Sequence, residues 1–221
     1  ALRYRLTACG IRPISNVVDV TNYILMECGQ PLHSFDLARI RGGRVIVAPA
    51  KEGEHFTTLD GKERVLKADD LTIRDNDGVV ALAGVMGGLD SEITEASAGV
   101  FLESAVFRPA TIRRTSRRLG LSSEASFRFE RGIDQGRSRW SLDRACAMIQ
   151  QLAGGEVSDR LCENEPRPLV PVQVEFRPAR CAALLGVDPG SDFERHVLTG
   201  LGCEVKGDGA TWTVPQPSWR A

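Results

Sequence analysis

Leu71-Thr-Ile-Arg-Asp-Asn-Asp-Gly-Val-Val-Ala-Leu-Ala83 is the stretch on which the fold class turns. Asn76-Asp77-Gly78 is a strong turn signal, and the flanking runs Leu71–Arg74 and Val79–Ala83 are rich in the side chains that strands favour. That combination reads as a hairpin. A second one lies just upstream, where Asp60-Gly61 separates Phe56-Thr-Thr-Leu59 from Arg64-Val-Leu66. Two more strands are expected at 44–48, Arg-Val-Ile-Val-Ala, and at Val100-Phe-Leu-Glu-Ser104.

Helices flank this strand-rich middle. Residues 2–9 and 17–28 read as helical, and in the second Val17, Val18, Val20, Tyr23, Ile24 and Leu25 form an apolar surface. A well-punctuated helix has Pro109 in its first turn and Gly120 just past its end. The next is expected to follow Asp134 as its N-cap, with Leu142, Ala145, Ile149 and Leu152 on one face and Gly154-Gly155 as its stop. Hairpins set between helices define an α+β class, here a layered α/β domain with mixed sheets over residues 1–155. Residues 156–171, with Pro166, Pro168 and Pro171, read as a linker.

Beyond it Val172, Val174 and Phe176 alternate as a strand. Helices near 178–186 and 191–201 and short strands at 203–206 and 211–214 complete a small winged-helix-like α+β module over 172–221. Neither end of the chain reads as the edge of an element, as if a piece had been excised from something longer.

Composition narrows the function classes. Six scattered cysteines with no C-x-x-C pair, and only three histidines, argue against a metal site and for reduced thiols. No apolar run approaches the ~20 residues of a membrane helix, so a cytoplasmic protein without a membrane partner is expected. Neither G-x-x-x-x-G-K-[ST] nor G-x-G-x-x-G is present, so both common nucleotide cradles are missing. Gly84-Val-Met-Gly87-Gly88 reads instead as a turn of unusual backbone geometry, or a place where something approaches the main chain closely.

Charge is unevenly placed. The chain carries a net −1, yet residues 108–144 hold ten arginines against four acids. Arg113, Arg114, Arg117 and Arg118 cover an arc of about 140° on the helix after Pro109. Like charges at i,i+4 repel by a few tenths of a kcal/mol per pair, so something must neutralise them. Carboxylates of the same chain and a phosphate backbone are the two candidates.

The motif run Gly10-Ile-Arg-Pro-Ile-Ser-Asn-Val-Val-Asp-Val-Thr-Asn-Tyr-Ile-Leu-Met-Glu-Cys-Gly-Gln-Pro-Leu-His-Ser-Phe-Asp36 closely resembles the β-subunit family of bacterial phenylalanyl-tRNA synthetases. Ala83–Gly88, Leu102–Ala105, Ile112–Gly120 and Glu124–Gly132 match in order. The likeness is dense over 1 to about 155 and looser over 170–221. It implies an editing hydrolase that removes tyrosine from tyrosyl-tRNA(Phe). The implied partners are the catalytic α subunit, in an α2β2 heterotetramer, and tRNA(Phe). No cofactor is implied for editing, whereas ATP and Mg²⁺ belong to the full synthetase. Phe127-Arg128-Phe129-Glu130 matches a class II synthetase motif only superficially, and aminoacylation within this chain is rejected.

The resemblance also implies the pocket. Thr21, Asn22, His33 and Gly87 would serve the ester end, Glu103 the tyrosine hydroxyl, and Ser123 and Ala125 the wall; the family often has threonine where Ser123 stands. Glu103 is expected as an ionised acceptor, His33 as the group that holds the ester or an attacking water, and Gly87 as a close main-chain approach to the developing oxyanion. Arg113, Arg114, Arg117 and Arg118 are candidate tRNA contacts. The physical need is clear: an apolar pocket rejects an added hydroxyl by only about 100-fold. A pocket built to bind that hydroxyl would leave a polar group unpaired with phenylalanine, at a cost of roughly 1–3 kcal/mol. The competing readings are a non-catalytic scaffold that docks tRNA, and a free-standing relative with another amino-acid preference.

Overall fold

The hairpin read from Leu71–Ala83 is the middle of the largest sheet in the computed structural model, which describes residues 1–220. Two units are present. One comprises Ala1–Ile133 with Arg137–Leu161, and the other Asp134–Gly136 with the described residues from Cys162 onward.

The first unit opens with α1 (Leu2–Ala8) and α2 (Asn16–Cys28), followed by strand β1 (Leu32–Asp36). Ser15 caps α2 by accepting from the Val18 N–H, and Gly29 ends it in the left-handed region at φ 79°. Strands β2 (Ile46–Pro49), β3 (His55–Thr57), β4 (Glu63–Val65), β5 (Leu71–Arg74), β6 (Val79–Leu82), β7 (Met86–Gly87) and β8 (Val100–Ser104) come next. β2-β5-β6-β7 form an antiparallel sheet, β3-β4 a hairpin, and β1-β8 an antiparallel ribbon. Helices α3 (Pro109–Leu119), α4 (Glu124–Phe129) and α5 (Ser138–Ala153) close the unit.

The two hairpin turns work differently. Gly61 adopts φ 73°, as the sequence signal requires, but none of Asn76, Asp77 and Gly78 has a positive φ. There Asp75 folds its carboxylate back to accept from the Asp77 and Gly78 N–H groups at 2.9 and 3.0 Å, an Asx turn.

Alternation in β1 and β8 splits their side chains between two cores. Leu32 and Leu102 pack with Val20 and Ile24 of α2 and Ala145 of α5. Phe35 and Phe101 face the other way, into the main core with Leu66, Ile73, Leu82, Ile112 and Phe129. Each of these large side chains contributes on the order of 1.5–3 kcal/mol through burial.

Two expectations need correction, and two elements were unforeseen. The α5 helix begins at Ser138, not directly after Asp134, whose carboxylate instead accepts from the Gly136 N–H ahead of the helix. The short strand expected at 203–206 reduces to a single bridge between Lys206 and Thr213. Helix α4 and strand β1 were not anticipated, because each is short and neither carries a clean period.

The second unit holds β9 (Gln173–Phe176), α6 (Pro178–Leu185), α7 (Ser191–Gly200) and β10 (Trp212–Pro215), with β9 and β10 antiparallel. Its core is small: Cys203, Trp212 and Val214, with Phe176, Leu198 and Val205 against them.

Candidate functional site

Residues directly opposite each other across an antiparallel pair share a face, with Cβ atoms about 5 Å apart. In the β1-β8 ribbon His33 stands opposite Glu103, so register brings the two together from 70 residues apart in sequence. They lie on the same face as Phe35 and Phe101, the face turned to the main core. The imidazole meets the Phe35 ring edge-on, with centroids 4.4 Å apart.

His33 and Glu103 line a cavity of about 70 Å³ whose remaining wall is apolar: Pro31, Leu32, Ile73, the Ala81–Met86 segment, Ala125 and Phe129. Burial is the single cause of a large shift in both ionisable groups. It holds the His33 imidazole down at about 4 and pushes the Glu103 carboxyl up to about 7. At neutral pH the histidine is therefore uncharged, and the carboxyl exists in both forms in comparable amounts. The sequence suggests Glu103 as an ionised acceptor; burial shifts it toward the protonated form.

The glycine-rich turn is shaped by its neighbours. Gly84 lies at φ 65°, and a Cβ there would meet Phe107 and Phe129 at 2.8 and 2.9 Å. A Cβ on Gly87 would sit 2.6 Å from Cε1 and 2.7 Å from Nε2 of His33. Only glycine lets the imidazole lie against this main chain.

Of the sequence-derived candidates, His33, Gly87, Glu103 and Ala125 meet around one cavity, and Thr21, Asn22 and Ser123 do not line it. Thr21 is buried within α2, where its hydroxyl donates to the Val18 carbonyl at 2.8 Å, and Asn22 follows on the same helix. That helix packs through Val20 and Ile24 on the opposite face of the ribbon. Ser123 acts behind the wall. Its Oγ caps α4 by accepting from the Ser126 N–H and donates to the Val85 carbonyl at 2.8 Å, tying α4 to the glycine-rich turn. Sequence reasoning missed Met86, Ile73 and Phe129, whose apolar character gives no signal beyond core membership.

The four helix arginines divide in two. Arg114 pairs with Asp69 at 2.8 Å, and Arg118 pairs with the fully buried Asp70. Arg113 donates only to the Glu130 carbonyl, at 3.1 Å, and Arg117 is exposed with no ion-pair partner among the described residues. Among those residues, too, no group of three or more His, Cys, Asp or Glu could hold a metal ion, and no helix is long and apolar enough to cross a membrane.

A half-buried histidine and carboxyl facing each other in an apolar cavity, against a main chain bare of Cβ, define the molecule's candidate chemistry. Residues 1–154 match the B3/4 domain, and the chain belongs to that family. More particularly, it is 58% identical over 220 residues to the phenylalanine–tRNA ligase beta subunit of Oleidesulfovibrio alaskensis. The corresponding protein of Nitratidesulfovibrio vulgaris is 56% identical over the same length. In both cases 99% of this chain is covered, but the chain spans only 28% of the relative. A crystal structure of an N-terminal fragment of the phenylalanyl-tRNA synthetase beta subunit from Pyrococcus horikoshii aligns over 93% of this chain and 60% of its own, at 14% identity and a TM-score of 0.45.

Proposed function

We propose that the His33–Glu103 cavity hydrolyses the ester of mischarged tyrosyl-tRNA(Phe), as the editing site of a phenylalanine–tRNA ligase β subunit. The observation that carries this reading is the cross-strand pair itself: two ionisable groups in one apolar cavity, with Gly87 against the imidazole. The tyrosine ring occupies the apolar wall, and its hydroxyl bonds to Glu103. His33, neutral and only weakly basic, orients water toward the carbonyl carbon rather than abstracting its proton outright. The water oxygen adds to that carbon, the bond to the ribose oxygen breaks, and the ribose oxygen leaves with a proton. Main-chain N–H groups near Gly87 stabilise the oxyanion between these steps. Thr21 and Asn22 stand off the cavity on α2, so any contact they make with the substrate is away from the ester, and Ser123 serves by holding the turn.

At about 70 Å³ the cavity is smaller than the roughly 150 Å³ that accepts a benzene ring. Ring entry therefore requires a wall to move. Met86 is suited to this, being unbranched and placed on a two-residue strand.

In this reading residues 1–155 are the hydrolytic domain, 156–171 a tether, and 172–221 a winged-helix-like module. The protein works in the cytoplasm with an α subunit and tRNA(Phe), and ATP and Mg²⁺ serve aminoacylation elsewhere in the synthetase. Arg113 and Arg117, which have no carboxylate partner among the described residues, are the arginines of α3 that meet phosphate.

The test compares deacylation of tyrosyl-tRNA(Phe) and phenylalanyl-tRNA(Phe) by the intact synthetase carrying wild-type, Glu103→Ala or His33→Ala β subunits. Wild type should clear the tyrosyl ester selectively. Glu103→Ala should lose that preference, and His33→Ala should lose rate on both esters. If wild type hydrolyses neither ester faster than buffer does, the scaffold and tRNA-docking role replaces editing.

A further inference from the structure

The β1-β8 ladder runs from Asp36 opposite Val100 to Leu32 opposite Ser104 and stops there. The next residue on β1's side is Pro31, which has no N–H to donate. Gln30 provides the donor in its place. Its Nε2 donates to the Ala105 carbonyl at 3.0 Å and to the Pro31 carbonyl at 3.1 Å, so a single carboxamide spans the ends of both strands. The left-handed Gly29 that terminates α2 turns the chain so that Gln30 enters the interior, where 2% of it remains exposed.

We propose that Gln30 is a positioning residue: by joining the ends of β1 and β8 it holds His33 opposite Glu103. This rests on the reading of their cavity as the hydrolytic site. His33 lies two residues from Pro31 and Glu103 two residues from Ala105, so each is the first ionisable side chain beyond the clamp. Pro31 and Leu32 line the cavity themselves. A slip of one residue in either strand would turn that strand's cavity side chain to the opposite face, toward α2 and α5, and part His33 from Glu103. The clamp also has a cost. The Gln30 Oε1 is buried and accepts from nothing among the described residues, and an unmet buried acceptor costs roughly 1–3 kcal/mol. The residue is thus placed for its donors rather than for its volume.

The experiment uses Gln30→Met, which keeps the volume and removes both donors, and Gln30→Glu, in the intact protein. Two readouts are taken: kcat and KM for tyrosyl-tRNA(Phe) deacylation, and the His33 titration midpoint by NMR of labelled histidine. The His33 signal is assigned by its loss in His33→Gln. A displacement of about 1 Å in a reacting geometry lowers rate about 100-fold. Gln30→Met should therefore lose about that in kcat, with KM within about threefold, and the His33 midpoint should rise from about 4 toward 6.5 as water enters. A folded Gln30→Met protein with wild-type kcat and midpoint overturns the proposal, whatever its thermal stability.

Where Gln30→Met does not fold, Gln30→Glu decides. A carboxyl donates only while protonated, so its rate relative to wild type should fall as pH rises, and a constant ratio overturns the idea. Failure of the wild type to hydrolyse the ester would sink the editing reading instead. The His33 midpoint in Gln30→Met then still decides the role of Gln30: unmoved, it overturns the clamp; raised, it supports it.

Discussion

Two clusters of ionisable groups in the first unit are built on opposite rules. Around α3, charge is answered: the fully buried Asp70 accepts from the Thr115 hydroxyl, the Lys67 N–H and the Arg118 guanidinium, and Asp69 pairs with Arg114. In the β1-β8 ribbon, His33 and Glu103 are only partly buried and are answered by no charge, and the burial they do have displaces both titrations. The first arrangement fixes a helix to a loop. The second leaves hydrogen-bonding capacity open inside an apolar wall, which destabilises the fold locally and is what a binding site requires.

The largest expected effect breaks the satisfied cluster. Asp70→Ala strands the Thr115 hydroxyl and the Lys67 N–H and removes the partner of Arg118. Loss of one member of a buried ion pair costs about 3–5 kcal/mol. Denaturant unfolding should show a loss near the lower figure, since Arg118 can turn to water. The deacylation rate of the fraction still folded should remain that of wild type. A change in that rate would mean that the two clusters are not independent.

Next comes Gly87→Ala. The added methyl collides with the His33 ring, which is packed edge-on against Phe35 and has little room to yield. Deacylation should fall about 100-fold, as a displacement of about 1 Å does elsewhere, whereas unfolding free energy should change by no more than about 1 kcal/mol. A stability loss as large as that of Asp70→Ala would mark the turn as a structural element instead.

Glu103→Gln separates the clusters through pH. Because the folded Glu103 has its pKa raised from 4.5 to about 7, the folded state binds its proton more tightly than the unfolded chain does. Wild-type stability from this group is fully present below about 4.5 and is lost as pH rises through about 7. A neutral glutamine avoids that loss. The variant should gain about 3 kcal/mol at pH 9 and nothing at pH 4, while losing its preference for the tyrosyl ester. An equal gain at both pH values would show that packing, not charge, is responsible.

The same contrast explains what sequence could reveal. The hairpins at Asp60-Gly61 and Asp75–Gly78, the bounds of α3 and the 100–104 strand were legible because turn residues and caps act locally. Even there, the second turn uses the Asp75 side chain rather than the backbone freedom its motif suggested. The meeting of His33 with Glu103 was implied only by resemblance. No local rule sets the register of two strands separated by the whole central sheet, and β1 itself was not visible as a strand. Ser123 shows the limit from the other side: it stood among the candidates, but its hydroxyl is spent on a helix cap and on the Val85 carbonyl. The arginines of α3 could be counted in sequence but not sorted, because Asp69 and Asp70 reach them from about 45 positions upstream.

That sorting gives the smallest expected effect. Arg113→Glu and Arg117→Glu, made singly, should each weaken tRNA(Phe) binding and flatten the dependence of log affinity on log salt by about 0.9 for each phosphate no longer neutralised. Arg114→Ala is the internal control. It removes a pair whose two side chains are each about half exposed, at 52% and 49%, so a few tenths of a kcal/mol of stability and an unchanged salt slope are expected. Arg118 is a poor probe, since its loss leaves the buried Asp70 carboxylate without its counter-ion. If Arg114→Ala flattened the salt slope as strongly as Arg117→Glu, the helix would be presenting all four guanidiniums to phosphate, and the pairs with Asp69 and Asp70 would open on binding. If neither Arg113→Glu nor Arg117→Glu moved it, the unanswered charge of α3 would be no more than a solvated face.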